Sequence, residues 1–208
     1  VWDDLGYKSK ALAYYEQSLQ IMSEVGNRGG EATTLNNIGM MWSNLGDKHK
    51  ALDYYNQALP IDREIGDRGG EATTLNNIGL AWFALGNNSK ALDYHKKALP
   101  IRCEVGDRGG EATTLNNIGA VWYELGDKRK ALAYYEQALP ICREVGDQVG
   151  EAIACLNIGK IYDDINDLDN ATFYVEQAVA LVEQVGSEHI NKFRQVLTYL
   201  KHKRGDHV

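Results

Sequence analysis

The sequence is short of proline, of disulfide-building residues and of long apolar runs. Its 208 residues include three prolines, three cysteines, three phenylalanines and three methionines. Cys103, Cys142 and Cys155 are odd in number and have no Cys-x-x-Cys spacing, which excludes a fully paired disulfide framework and predicts free thiols in a reducing, cytoplasmic setting. His49, His95, His189, His202 and His207 show no zinc-type pairing, so neither a metal nor another cofactor is expected. Positive charge is also scarce. Lys and Arg total 22 against 29 Asp and Glu, a formal charge of −7 that lacks the basic footprint of a nucleic-acid or membrane-surface binder. No apolar run reaches the roughly 18 residues of a membrane span. The opening Val1-Trp2-Asp3-Asp4-Leu5 resembles neither a signal peptide nor a natural start, and the chain reads as a fragment of a longer protein.

Chemistry-bearing motifs are missing too. Gly29-Gly30 and its copies have no following Lys-Ser/Thr, as a phosphate loop requires. Asp163, Asp164, Asp167 and Asp169 cluster without the turn glycine of a calcium loop and read as a solvated acidic end. Without a nucleophile, base or metal constellation, the chain is not expected to be an enzyme.

Periodicity is what the sequence has in abundance. Gly-Gly-Glu-Ala-Thr-Thr-Leu-Asn-Asn-Ile-Gly runs from Gly29 to Gly39 and recurs unchanged from Gly69 to Gly79 and from Gly109 to Gly119; a diverged copy spans Gly150 to Gly159 in the same 40-residue register. Each unit holds two helical patterns. In the first, helix A, Leu35, Ile38, Gly39, Trp42 and Leu45 fall on one face. Gly46 stops it and Asp47 caps the second, helix B, whose core face carries Ala51, Tyr55, Ala58, Leu59, Ile61 and Ile65. Connections of two or three residues force successive helices to be antiparallel. Pro60, Pro100 and Pro140 fall inside helix B, yet the apolar pattern continues beyond them, so the helices are predicted to run through proline. Gly39 and Ala51 are small because helices A and B cross closely, and Tyr54 and Tyr55 are read as packing between hairpins. The predicted helices lie near 8–25, 28–44, 48–65, 68–84, 88–105, 108–124, 128–145, 148–165, 168–185 and 188–203, with no strand.

The columns Leu35, Gly39, Trp42, Ala51, Tyr55 and Ala58, repeated as Gly79, Ala91 and Ala98, as Gly119, Ala131 and Ala138, and as Gly159, Ala171 and Ala178, resemble the tetratricopeptide repeat family. The match spans nearly the whole chain, although the family's usual unit is about 34 residues. The longer unit with its Gly-Asp junction is similar to the arrays of Pins/LGN adaptors, the Leu-Asn-Asn-Ile run to kinesin light chain, and Ala-Leu-Pro-Ile to bacterial arrays, particularly cyanobacterial ones, that precede an effector domain. The resemblance implies an all-α, right-handed solenoid of antiparallel hairpins. Its units would be a partial first repeat at 1–27, full repeats at 28–67, 68–107, 108–147 and 148–187, and a capping helix and tail at 188–208. Trp2, Leu5 and Gly6 match Trp42, Leu45 and Gly46, which reads as the tail of a helix A with further repeats upstream. At the other end Ser187 is the expected cap of the last helix, and Lys201-His202-Lys203-Arg204 its solvated basic end.

The resemblance also implies a peptide-binding, protein–protein interaction function, in which the outer stripes of the A helices line a concave groove. On a wheel of about 100° per residue the positions opposite the core are Thr33, Asn37, Met40 and Asn44, then Thr73, Asn77 and Leu80, then Thr113, Asn117 and Glu124, then Asn157, Lys160 and Asp164. Asn36, Asn76 and Asn116 flank them, as do Phe83 and Tyr123. Asn37, Asn77, Asn117 and Asn157 form an unbroken column whose amides can donate and accept along an extended peptide backbone. The varying neighbours Met40, Leu80, Ala120 and Lys160 would supply selectivity. Glu124, Asp163 and Asp164 favour a protein or peptide ligand with basic residues. Two alternatives stay open: asparagines inherited through duplication or bonding locally between neighbouring helices, and a structural or self-assembling array that associates through its terminal repeats.

Overall fold

The computed structural model describes residues 2–186 and 190–206, with side chains from Lys10 onward. Ser187, His189 and His207 fall outside the described residues. The chain divides into two units, 1–107 and 108–208. The described residues form ten α-helices and no strand.

The first unit contains α1 (Trp2–Glu24), α2 (Arg28–Asn44), α3 (Lys48–Glu64), α4 (Arg68–Ala84) and α5 (Asn88–Glu104). Here α2 pairs with α3 and α4 with α5 as hairpins, α1 packs on α2, α3 packs on α4, and α2 also touches α4. The second unit contains α6 (Arg108–Glu124), α7 (Lys128–Val145), α8 (Gln148–Asp164), α9 (Leu168–Gln184) and α10 (Ile190–Arg204), with hairpins α6–α7 and α8–α9 and with α10 against α9.

A single residue both ends one helix and starts the next. The Asp47 backbone N–H donates to Trp42 O at 3.0 Å while Gly46, at φ 94°, donates to Ser43 O, which closes α2; the Asp47 carboxylate then accepts from Lys50 N at 3.0 Å and opens α3. Where glycine is missing from this junction, Asn166 adopts φ 62° in its place. At Gly6 the expected turn does not form, and α1 runs unbroken from Trp2. Tyr7 follows Gly6 where the junctions at Gly26, Gly46, Gly66, Gly86, Gly106, Gly126 and Gly146 have Asp or Asn, so the sequence supplies no capping residue for the first free amides of a new helix. The three proline-bearing B helices continue to Glu64, Glu104 and Val145.

Close approach inside each hairpin explains the glycine column. A Cβ on Gly39 would stand 2.5 Å from Tyr55 Cε1, and one on Gly119 would stand 2.7 Å from Tyr135 Cε1. Both tyrosines are buried. They therefore pack on the glycine of their own hairpin, as well as contributing to the shared core of their unit. Arginines tie the hairpin ends together: Arg28 reaches Glu31 (2.6 Å) and Glu64 (2.7 Å), Arg68 reaches Glu71 and Glu104 (2.8 Å), and Arg108 reaches Glu111 (2.6 Å) and Glu144 (2.7 Å). On the hairpins' opposite ends, Lys50, Lys90 and Lys130 sit over Trp42, Trp82 and Trp122 at about 4 Å from the ring centres.

Candidate functional site

In the first unit the outer face of α2 and α4 carries Met40, Asn44 and Leu80 in the open, with Met40 46% and Leu80 40% exposed. Asn37, Asn77 and Phe83 are half-buried beside them. The asparagines do not stand clear of their neighbours. Asn77 Nδ2 donates to Asn36 Oδ1 at 3.4 Å, Asn36 Nδ2 donates to Thr74 Oγ1, and Thr74 Oγ1 donates to Asp62 Oδ2 at 2.7 Å. A polar chain thus leads from the surface asparagine to a carboxylate that is 3% exposed. Burial pushes the Asp62 carboxyl up, the Thr74 hydroxyl opposes this, and Asp67 and Glu71 add to the rise.

Several sequence-level candidates take structural places instead. Asn76 and Asn116, at 7% and 8% exposure, are buried and cannot line a groove. Asn76 Oδ1 accepts from His95 Nδ1 at 3.0 Å, in a core that neighbouring helices close over this flank. The Thr33, Thr73 and Thr113 hydroxyls bond to the carbonyls of Gly29, Gly69 and Gly109 in their own helices, and Thr73 also accepts from Arg102 Nη2 at 2.8 Å.

In the second unit Asn117, Asn157 and Tyr123 are half-buried, and Glu124, Lys160 and Asp164 are exposed. Tyr123 OH donates to Asp164 Oδ2 at 2.8 Å, and Lys128 Nζ lies 3.1 Å from the same oxygen. Against the pull of partial burial, those two bonds hold Asp164 below the usual carboxylate range. Burial, then the Asp164 bond, pushes the Tyr123 phenol up to about 12. Asp163 is paired to Lys203 of α10 at 2.6 Å. Two of the three carboxylates expected to attract a basic ligand are therefore met by the chain's own lysines, and Glu124 alone has no ion pair among the described residues. Partial burial, then Lys192, lowers the Lys160 pKa.

Sequence reasoning missed Asp62, Thr74, Arg102, Lys128 and Lys203 as shapers of these faces. A signal was present in one B-helix column, which reads Met22, Asp62, Arg102, Cys142, Val182 and so places two charges at a core-facing position. Among the described residues no group of three metal-ligating side chains comes together, and no helix is long and apolar enough to cross a membrane.

Paired helices of this length, each hairpin closed by a glycine under a facing side chain, Tyr55, His95, Tyr135 or Val175, match a sequence model of the tetratricopeptide repeat at residues 9–64, 45–104, 70–144 and 110–184. The chain belongs to the tetratricopeptide repeat family. Solved tetratricopeptide-type structures resemble it along most of its length. BtubC (BKLC) from P. vanneervenii is 20% identical with a TM-score of 0.83, over 96% of this chain and 85% of that one. The apo quorum sensor NprR from B. thuringiensis is 20% identical with a TM-score of 0.76, over 95% of this chain but 56% of that one, so the present chain spans little more than half of that protein. The nearly identical repeats of a putative kinesin light chain from P. anserina are 12% identical with a TM-score of 0.68, over 89% and 91%. At these identities the tetratricopeptide fold is what is shared. No curated protein matches the chain.

Proposed function

We propose that this chain is a protein-interaction module that holds an extended peptide or partner surface against the outer faces of its A helices, α2 and α4 in one unit and α6 and α8 in the other. The observation that carries the reading is the contrast within that face. Asn37, Asn77, Asn117 and Asn157 are constant and half-exposed, while the exposed neighbours Met40, Leu80 and Lys160 change chemistry from unit to unit. A constant amide suits a constant partner group, the peptide backbone, and varied neighbours suit varied side chains. With Asp163 and Asp164 internally paired, selection for a basic residue falls to Glu124. Module and ligand would act within a larger cytoplasmic adaptor or signalling protein. The test is a random peptide library displayed against the 208-residue chain, followed by affinities for an Asn77→Ala/Asn117→Ala variant. Binding should weaken about tenfold, or roughly 1.4 kcal/mol. The melting temperature of Asn77→Ala alone should hardly move, because the 3.4 Å bond from Asn77 is long and weak. Undiminished binding by the double variant would reject the reading.

A second reading is a structural or self-assembling array that associates through its terminal repeats. Light scattering across concentration separates the two, since self-assembly requires mass to rise with concentration and peptide capture does not.

A further inference from the structure

In the first unit a cleft of about 790 Å³ opens between α1, α2 and α3, on the B-helix side and away from the A-helix face described above. That volume lies within the roughly 300–1,000 Å³ of ligand sites. Leu19, Leu35 and Ile61 are among its apolar lining residues, and Ser23, Glu24 and Glu31 are among its polar ones. Two of the three later repeats place an arginine in this position, Arg63 and Arg143, while the other has Cys103 there and its Glu111 is met by Arg108. One repeat later, the carboxylate of Glu71 is held by two guanidiniums at once, Arg68 on Oε2 and Arg63 Nε on Oε1 at 2.7 Å. In the second unit Arg143 Nε reaches Glu151 Oε1, again at 2.7 Å. The residue in the Arg63 and Arg143 column here is Ser23. Serine is too short to reach Glu31. Glu31 therefore keeps the first guanidinium, Arg28 on Oε2 at 2.6 Å, and among the described residues nothing takes the place of the second on Oε1. Glu24, a second carboxylate of the lining, accepts from Gln20 at 2.8 Å.

We infer that this cleft is a docking site for an arginine side chain presented by a partner protein, whose guanidinium binds Glu31 as Arg63 binds Glu71 and Arg143 binds Glu151, and whose methylene stem lies on Leu19 and Ile61. Arginine suits the place better than lysine. Its planar, weakly hydrated fork can stack beside Arg28 on a shared carboxylate and reach Glu24 as well, whereas an ammonium is a compact and strongly hydrated charge. The presence of Arg28 is no obstacle, because Arg68 stands equally close to Arg63 around Glu71. This site is independent of the A-helix face, and either can fail without the other.

The experiment is an amide nitrogen–proton NMR titration of the full chain with the capped tripeptide acetyl-Gly-Arg-Gly-amide, alongside its lysine and citrulline counterparts. The arginine peptide should shift resonances at Ser23 and Glu31 with millimolar affinity, at least about fivefold tighter than either counterpart. Ser23→Ala keeps the vacancy and should bind as the parent does. Ser23→Arg fills it from within and should lose the shifts, and Glu31→Gln should lose them by removing the charged acceptor. Equal shifts from the lysine or citrulline peptide, undiminished binding by Ser23→Arg, or no shift at Ser23 and Glu31 would each overturn the inference. If Ser23→Arg proves unfolded by circular dichroism, the Glu31→Gln titration decides the matter alone.

Discussion

His95 makes the first unit sensitive to acid in a way that can be calculated and isolated. The residue occupies the column of Tyr55 and Tyr135, packs on Gly79 and is fully buried. Its Nδ1–H donates to Asn76 Oδ1 at 3.0 Å, and its Nε2 has no partner among the described residues. Burial pushes its pKa down from 6.5 to about 4. The unfolded chain therefore takes up a proton near pH 6.5 that the folded chain refuses until about pH 4. Stability falls as the pH drops through that interval and levels off below it; the full loss is roughly 3 kcal/mol at about 1.4 kcal/mol for each tenfold change in proton affinity. His95→Tyr restores the tyrosine-over-glycine packing of the neighbouring hairpins and removes the titration. Urea unfolding followed by circular dichroism, on parent and variant at about pH 7 and about pH 4, cancels every other titrating group to first order. The parent should lose about 2–3 kcal/mol more than His95→Tyr between the two conditions. A difference that stays constant with pH would refute the reasoning and mean that the imidazole has access to water.

Two further outcomes follow from the packing. Gly119→Ala places a Cβ 2.7 Å from the buried Tyr135 ring; thermal melting should show a loss of about 1–3 kcal/mol. Asp62→Asn should raise the urea midpoint near neutral pH. Burial raises the carboxyl's pKa in the fold, so the ionised form is penalised there and the gain from its removal shrinks as the pH falls into the carboxylate range. A gain that grows on acidification would show that the charge is favourably paired.

The helices were legible because their punctuation is local. Gly46 with Asp47, or Gly126 with Asp127, carries both the stop and the next start within two adjacent residues. Gly6 misled because the stop was read without the cap, which Tyr7 cannot supply. The faces were less legible, since one residue separates a half-exposed asparagine from a buried one. Asn77 and Asn76 look alike in sequence, yet neighbouring helices close over Asn76, and Asn36 finds Thr74 at a separation of 38 residues. The acidic cluster misled for the same reason. Asp163 meets Lys203 at a separation of 40 residues, and Asp164 meets Lys128 at 36, partners that wheel geometry on a single helix cannot reveal.

The most direct measurement of the central claim is a hydrogen-exchange map of the chain with and without a peptide selected on it. Recognition on the A-helix face predicts added protection in α2, α4, α6 and α8, centred on Asn37, Asn77, Asn117 and Asn157, with the B helices α3, α5, α7 and α9 unchanged. Protection confined to the B helices, or spread evenly over both sets, would contradict it.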